Sequence, residues 1–314
     1  MAEPVPALDD IRQASGKVKL ARALAAIEQT PEAADVINLL DQAWQNPKGH
    51  VLGLTGPPGV GKSTLISALI KAWRQSGRTV GVIAVDPSSR KSGGALLGDR
   101  TRLVTDPEDS GIFIRSMAAR DRLGGLASLT IPAMILMRAI YDILIIETVG
   151  VGQSETDVAS VADTVVFCIQ PASGDSLQYM KAGIMEVPHI AVVTKADMGP
   201  AARRAKADVQ GALGLAEGSA DGWQVPILLV SASEAKGIDE LVAAVDSHFN
   251  WLHAQGLLQS QRLTQGDIWL ADVIREKFGT RGLKLLEAQL SSHDGSPFRR
   301  AAELVSRLKL TLTI

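Results

Sequence analysis

The stretch GPPGVGKST, residues 56–64, decides the fold. It satisfies G-x-x-x-x-G-K-[S/T], with an apolar run at 51–54 before it and the helical spacing Leu65, Leu69, Ile70, Trp73 after it. Strand, glycine-rich turn and helix together are the context that makes this spacing a phosphate-binding loop. Gly56, Gly59 and Gly61 let backbone N–H groups turn inward around a β-phosphate, and the helix N-terminus adds its partial positive charge. Lys62 neutralises β and γ oxygens, Ser63 offers its hydroxyl to Mg²⁺, and Pro57, Val60 and Thr64 complete the nucleotide-binding set. With glycine near 7% of residues, an accidental match in a chain of this size has a chance of about 1%.

Outward from this loop, short β-rich apolar runs recur at 51–54, 80–85, 112–114, 143–146, 164–169, 190–193 and 227–230. They are nearly continuous rather than alternating, as strands buried on both faces must be. Segments of helical spacing lie between several of them, so the fold class is α/β: a P-loop NTPase domain at 49–250 with a mostly parallel, doubly wound sheet. Ligands of such sheets bind at the carboxyl ends of the strands. Ahead of the sheet, 1–48 reads as a helical segment with helices at 18–27 and 36–44, and Thr30-Pro31 reads as cap and first turn of the second. Lys17, Lys19 and Arg22 read as a solvated face of the first. Beyond 250 the strand pattern stops, and apolar helical runs at 251–258, 268–278, 283–290 and 298–308 need a partner surface. An arm packing on another subunit is the first expectation, and a cap folded back on the same sheet is the alternative.

Composition narrows the function classes. With 314 residues, 46% apolar, the chain has material for a large core and about 100 residues beyond one ordinary domain. The balance of 32 basic against 34 acidic residues argues against nucleic acid as a partner. Cys168 is the one cysteine, so no internal disulfide forms; its place inside a strand reads as core. The opening MAEPVPALDDIR lacks the basic and apolar pattern of a targeting peptide, which makes the cytoplasm the expected location. No apolar run approaches the roughly 20 residues of a membrane span.

After the sixth strand stands TKAD, with Thr194, Lys195 and Asp197, and after the seventh stands Ser231-Ala232. A carboxylate at Asp197 accepts from guanine N1–H and the exocyclic amine, a pairing adenine cannot supply. Lys195 lays its stem along the base, and the Ser231-Ala232 backbone donates to the guanine carbonyl. The usual first residue of this element is Asn; Thr194 is expected to lose an amide that ties the loop to the phosphate loop. The fourth strand ends in ETVGVGQSE, with Glu147 as a Mg²⁺-associated carboxylate and Gly150 able to bring its N–H to the γ-phosphate. The second ends in DPSSRKSGGALLGDRTR, which adds Asp86 and Asp99. Mg²⁺ keeps several waters, so Ser63 with one or two of these carboxylates suffices.

The combination of AVDPSS (84–89), SGGALLGDRTR (92–102), FIRSMAARDRLGGLA (113–127), ETVGVGQSE and GDSLQYMKAGIME (174–186) resembles the MeaB/ArgK family from about Gly16 to GIDEL at 237–241, and more weakly into the arm. The resemblance implies a GTP- and GDP-binding, Mg²⁺-dependent chaperone of an adenosylcobalamin-dependent acyl-CoA mutase, typically methylmalonyl-CoA mutase. It would gate cofactor loading, with adenosylcobalamin held by the partner and a cobalamin adenosyltransferase as a further contact. It also implies a homodimer joined by a C-terminal arm at 251–314. Asp86, Asp99, Glu147 and Ser63 become metal and switch residues, and Asp175, Gln178 and Lys181 a segment relaying the mutase's presence. Ser176 stands where members carry Glu, and 179–189 is unlike the commonest form, which leaves the mutase's substrate open.

Val151 follows Gly150 where a catalytic Gln would stand, so weak intrinsic hydrolysis is expected, with Lys62, Asp86, Asp99, Glu147 and Lys181 as the catalytic set. Two alternatives remain: a kinase of the ArgK type, and a metal-insertion GTPase. The second would want Cys/His clusters, which one cysteine and five scattered histidines do not offer. The five tryptophans read as packing residues.

Overall fold

A computed structural model of the chain describes residues 4–13, 16–87, 103, 105–106, 108–119, 129–147, 158–172, 188–215, 222–290 and 295–312. All seven expected strands form: β1 (His50–Thr55), β2 (Val80–Pro87), β3 (Ile112–Ala119), β4 (Ile143–Glu147), β5 (Thr164–Ile169), β6 (Ile190–Val193) and β7 (Ile227–Leu229). Every pairing is parallel, in the order β3-β2-β4-β1-β5-β6-β7. From β1 the chain leads to one side of the sheet and from β5 to the other, so a crevice opens at the carboxyl ends of these two neighbours.

β5 shows why the apolar runs do not alternate. Val166 and Cys168 enter the core formed with α4 (Lys62–Gln75) and the helix Ile238–Ala254, whereas Phe167 and Ile169 enter a second core with Val209 of the helix Pro200–Leu215. A strand covered on both faces is apolar at every position. Cys168 is completely buried, and burial pushes its thiol up to about 12, which bears out its reading as a core residue.

The remaining helices are α1 (Leu8–Arg12), α2 (Lys17–Gln29), α3 (Ala34–Gln45), α5 (Thr130–Arg138), α8 (Leu257–Leu290) and α9 (Pro297–Leu312), with Pro200–Leu215 and Ile238–Ala254 numbered α6 and α7. Two compact units result: the sheet unit, His50–Ala127 with Asp142–Leu258, and a helical unit, Met1–Gly49 with Ser128–Tyr141 and Gln259–Ile314. α7 runs through residue 250, the last residue assigned to the sheet domain from sequence.

In the helical unit, Thr30-Pro31 does not start a helix. Thr30 closes α2, its N–H and hydroxyl both donating to Ala26 O at 2.8 and 3.2 Å, and α3 begins only at Ala34. A threonine hydroxyl bonds backward to the preceding turn as readily as it caps the next one. The basic face of α2 is also more than solvated: Lys19 pairs with Asp10 at 3.6 Å and Arg22 donates to Pro4 O at 2.9 Å. The C-terminal helices find much of their partner surface on α3 of the same chain. Phe298 meets Trp44 edge-on at 6.5 Å and Trp269 at 4.7 Å, and Arg299 pairs with Asp41 at 2.8 Å. Ile268, Leu285 and Leu310 stay exposed.

At the amino ends of the strands, histidines that look scattered in sequence come together. His50 opens β1, Thr164 opens β5, His189 precedes β6, and His248 reaches them from α7. Thr164 Oγ1 lies 2.7 Å from both His50 Nε2 and His248 Nδ1. His189 stacks on His248 at 4.2 Å, Phe249 stacks on His50 at 4.1 Å, and Trp223 and Trp251 complete the wall. The gathering corrects the scattered reading, although no metal-holding group of three or more His, Cys, Asp or Glu occurs among the described residues. Burial first, then the neighbouring His189 and His50, pull His248 from its ordinary value of 6.5 down to about 3, against a small opposing pull from Asp163.

The folded state therefore holds His248 neutral while the unfolded chain protonates it below 6.5, so this group's contribution to stability is lost as pH falls from 6.5 toward 3. Denaturant titrations at pH 8 and pH 5 are expected to differ by about 2 kcal/mol from this site alone. In His248→Phe the difference between the two pH values should shrink accordingly.

Candidate nucleotide-binding site

The phosphate loop leaves β1 at Thr55 and turns directly over β5. A Cβ on Gly56 would lie 2.3 Å from Cys168 O, and Gly56 has φ +138°, so only glycine fits both the approach and the conformation. Gly61, at φ +103°, turns the chain into α4, whose first residue is Lys62. The Lys62 ammonium, nearly buried, donates to Gly56 O at 2.6 Å and Pro57 O at 3.2 Å, which holds its charge inside the loop. Ser63 Oγ donates to Glu147 Oε1 at 3.0 Å, joining the start of α4 to the end of β4. Both groups are hard oxygen ligands side by side at the lip of the loop, as a Mg²⁺ ion requires. Val60 is buried under the loop, and Thr64 is exposed on the first turn of α4.

The loops after β6 and β7, expected from sequence to meet the base, converge on the same crevice. Thr194 was expected to lose the tie to the phosphate loop; instead its hydroxyl reaches Val60 O at 2.8 Å and Ile169 O at 3.0 Å. A hydroxyl shorter than an asparagine amide still spans the gap because β6 brings the Thr194 backbone to β5, with Thr194 N–H donating to Ile169 O at 2.8 Å. Lys195 stands in the left-handed region at φ +51° and donates to Gly59 O at 3.1 Å and to Gln170 Oε1 at 2.9 Å.

Asp197 is exposed at the tip of the loop, and Ser231 Oγ donates to its Oδ1 at 2.7 Å. That hydrogen bond, with its own backbone N–H and the charges of Lys195 and Lys236, holds the carboxyl below the usual carboxylate range. The Ser231 N–H is committed to Lys236 O at 3.0 Å, which leaves Ala232 as the backbone donor of that pair. Sequence reading thus placed Ser231 at the site but missed its hydroxyl's role in aiming Asp197. It also missed Gln170, whose one signal is a polar residue directly after an apolar strand. Asp86 occupies the carboxyl end of β2 by its backbone; Asp99, Gly150, Asp175, Gln178 and Lys181 lie outside the described residues.

Residues 20–284 match the family described as Methylmalonyl Co-A mutase-associated GTPase MeaB. The chain belongs to the MeaB family. A putative GTPase of Pyrococcus horikoshii is 45% identical over 224 residues, covering 69% of each chain. The mouse methylmalonic aciduria type A homolog, a mitochondrial protein, is 38% identical over 82% of this chain and 65% of its own length. The GTPase ArgK of Escherichia coli is 40% identical over 72% of this chain and 69% of its own. A solved structure of a LAO/AO transport system kinase superposes with a TM-score of 0.68 at 28% identity, covering 96% of both chains. This MeaB-family protein is accordingly a P-loop GTPase. No helix among its described residues is long and apolar enough to cross a membrane.

Replacing Thr194 by Val removes the hydroxyl while keeping the shape, leaving the Val60 carbonyl without that partner. The loss of one such hydrogen bond, about 1 kcal/mol, is expected to weaken GDP binding about five-fold by calorimetry, and Thr194→Ser to restore it.

Proposed function

We propose that this MeaB-family GTPase is a cytoplasmic chaperone of an adenosylcobalamin-dependent acyl-CoA mutase, methylmalonyl-CoA mutase or a close relative, and that it gates loading of the mutase's cofactor and protects it. The observation that carries the nucleotide half is the carboxylate of Asp197, aimed by Ser231 from a loop that Thr194 and Lys195 tie to the phosphate loop. Base and phosphate recognition are thereby held in one frame. The mutase half is supported by the family description and by the name of the mouse relative.

Ser63 and Glu147 would hold Mg²⁺, with Asp86 or Asp99 as further oxygen ligands directly or through water. When bound, the ion supplies charge neutralisation between the β and γ oxygens. Lys62 holds the γ-phosphate charge, and the phosphate loop with the start of α4 wraps the β-phosphate. Asp197 accepts from the guanine edge, the Lys195 stem covers the ring, and Ala232 N–H donates to the guanine carbonyl. Asp175, Gln178 and Lys181 form the segment through which the docked mutase raises a low intrinsic hydrolysis rate, Lys181 adding positive charge in the transition state. The exposed Ile268, Leu285 and Leu310 support a homodimer formed through the C-terminal helices, and a cobalamin adenosyltransferase is a further candidate partner.

The solved relative named as a kinase keeps one second reading in view, transfer of the γ-phosphoryl group to an acceptor. Incubation with γ-labelled GTP separates the two: free labelled phosphate, released faster when the cognate mutase is added, supports the chaperone, and label on protein or metabolite supports the kinase. A rate that ignores the mutase would sink the relay.

Two variants test the site itself. Lys62→Ala should abolish measurable GTP turnover, since it removes the ammonium that the carbonyls of Gly56 and Pro57 hold inside the loop. Asp197→Asn presents an amide N–H where the guanine amine required an acceptor, so preference should move from GTP to xanthosine triphosphate, whose 2-oxo group accepts. Competition of the two nucleotides for the variant measures the switch.

A further inference from the structure

Gln170 occupies the first position beyond β5, in the crevice where the sheet changes direction. Its Oε1 accepts from Lys195 Nζ at 2.9 Å, and the same ammonium donates to Gly59 O at 3.1 Å. Two oxygens from two different elements therefore fix the end of a side chain whose stem, on the proposed reading, forms the platform for the base. The backbone beneath needs that support. Lys195 is one of three non-glycine residues with positive φ among the described residues, and a β-carbon in the left-handed region crowds the following carbonyl.

Its neighbours hold it from either side. Thr194 N–H donates to Ile169 O at 2.8 Å, and Ala196 N–H to Val230 O at 3.1 Å. The long methylene stem between backbone and ammonium has rotatable bonds of its own, which neither backbone contact restrains. Gly59 O alone is a single contact on a side chain that is largely exposed. A second acceptor, Gln170 Oε1, restricts the stem to the rotamers that bring the ammonium within reach of both oxygens.

We propose that Gln170 is a positioning residue for guanine-nucleotide binding, which orders the Lys195 side chain before the nucleotide arrives. The inference rests on the reading of Lys195 as the base platform. Gln170 orients without neutralising: an amide oxygen accepts one N–H of the ammonium and leaves its charge free to act on the phosphate loop and on Asp197. Preorganising a flexible lysine reduces the rotamer entropy lost on binding, so removing the amide raises the dissociation constant without removing any atom that touches nucleotide.

A double-mutant cycle tests it, with GDP binding measured by calorimetry on the full chain and thermal unfolding followed in parallel. Gln170→Ala is expected to weaken GDP about three- to five-fold, and Gln170→Glu, which keeps an oxygen facing the ammonium but offsets its charge, to recover part of the loss. In a Lys195→Ala background the Gln170→Ala substitution should have no further effect. A loss of the same size in both backgrounds, or no loss in the first, overturns the positioning role while leaving the platform standing. If Lys195→Ala by itself leaves GDP binding unchanged, the platform reading fails and the inference with it.

Discussion

A Cβ on Gly56 would lie 2.3 Å from the carbonyl oxygen of Cys168, so the phosphate loop can rest on β5 only with glycine at that position. Much of the site follows from this close passage. With the loop on β5, Ile169 at the end of the strand and Gln170 just beyond it come within reach of Thr194 and Lys195, which follow the neighbouring β6. The same proximity brings Val60 and Gly59 to those two side chains, and α4 carries Ser63 to Glu147 at the end of β4. A larger residue at 56 would lift the loop off the strand and stretch every one of these contacts.

The two ends of β1 and β5 are chemically unlike. At the carboxyl ends, ionised groups are held ready by hydrogen bonds: Lys62 within its loop, Asp197 under Ser231, Lys195 between two carbonyl oxygens. At the amino ends of β1 and β5, His50, His189 and His248 are packed among Trp223, Trp251 and Phe249, and burial holds His248 neutral. β1 and β5 run between these environments, from His50 and Thr164 at one end to the phosphate loop and Gln170 at the other.

The glycine-rich loop was fully legible because its spacing encodes a local conformation: glycines at positive φ, then a lysine opening a helix. The central strands β1, β4, β5 and β6 were legible because burial on two faces leaves them long apolar runs. Thr194 was read in the right place with the wrong consequence, since whether a short hydroxyl reaches Val60 depends on how closely β6 approaches β5. Thr30 failed for a related reason: between two helices, a threonine can close one or open the other, and the local letters serve both. The histidines at 50, 189 and 248 are far apart in the chain, and only strand order and the return of α7 make them neighbours.

By itself, the sequence determined the parallel α/β class and the phosphate loop, because each rests on residues close together in the chain: a repeat of apolar runs and nine consecutive residues. Tertiary structure alone decided the order of the strands, the tie from Thr194 to the phosphate loop, the pairing of Gln170 with Lys195 and the gathering of the histidines. Those depend on distances between segments that the chain order leaves open, and hydrogen bonds form or fail over tenths of an ångström.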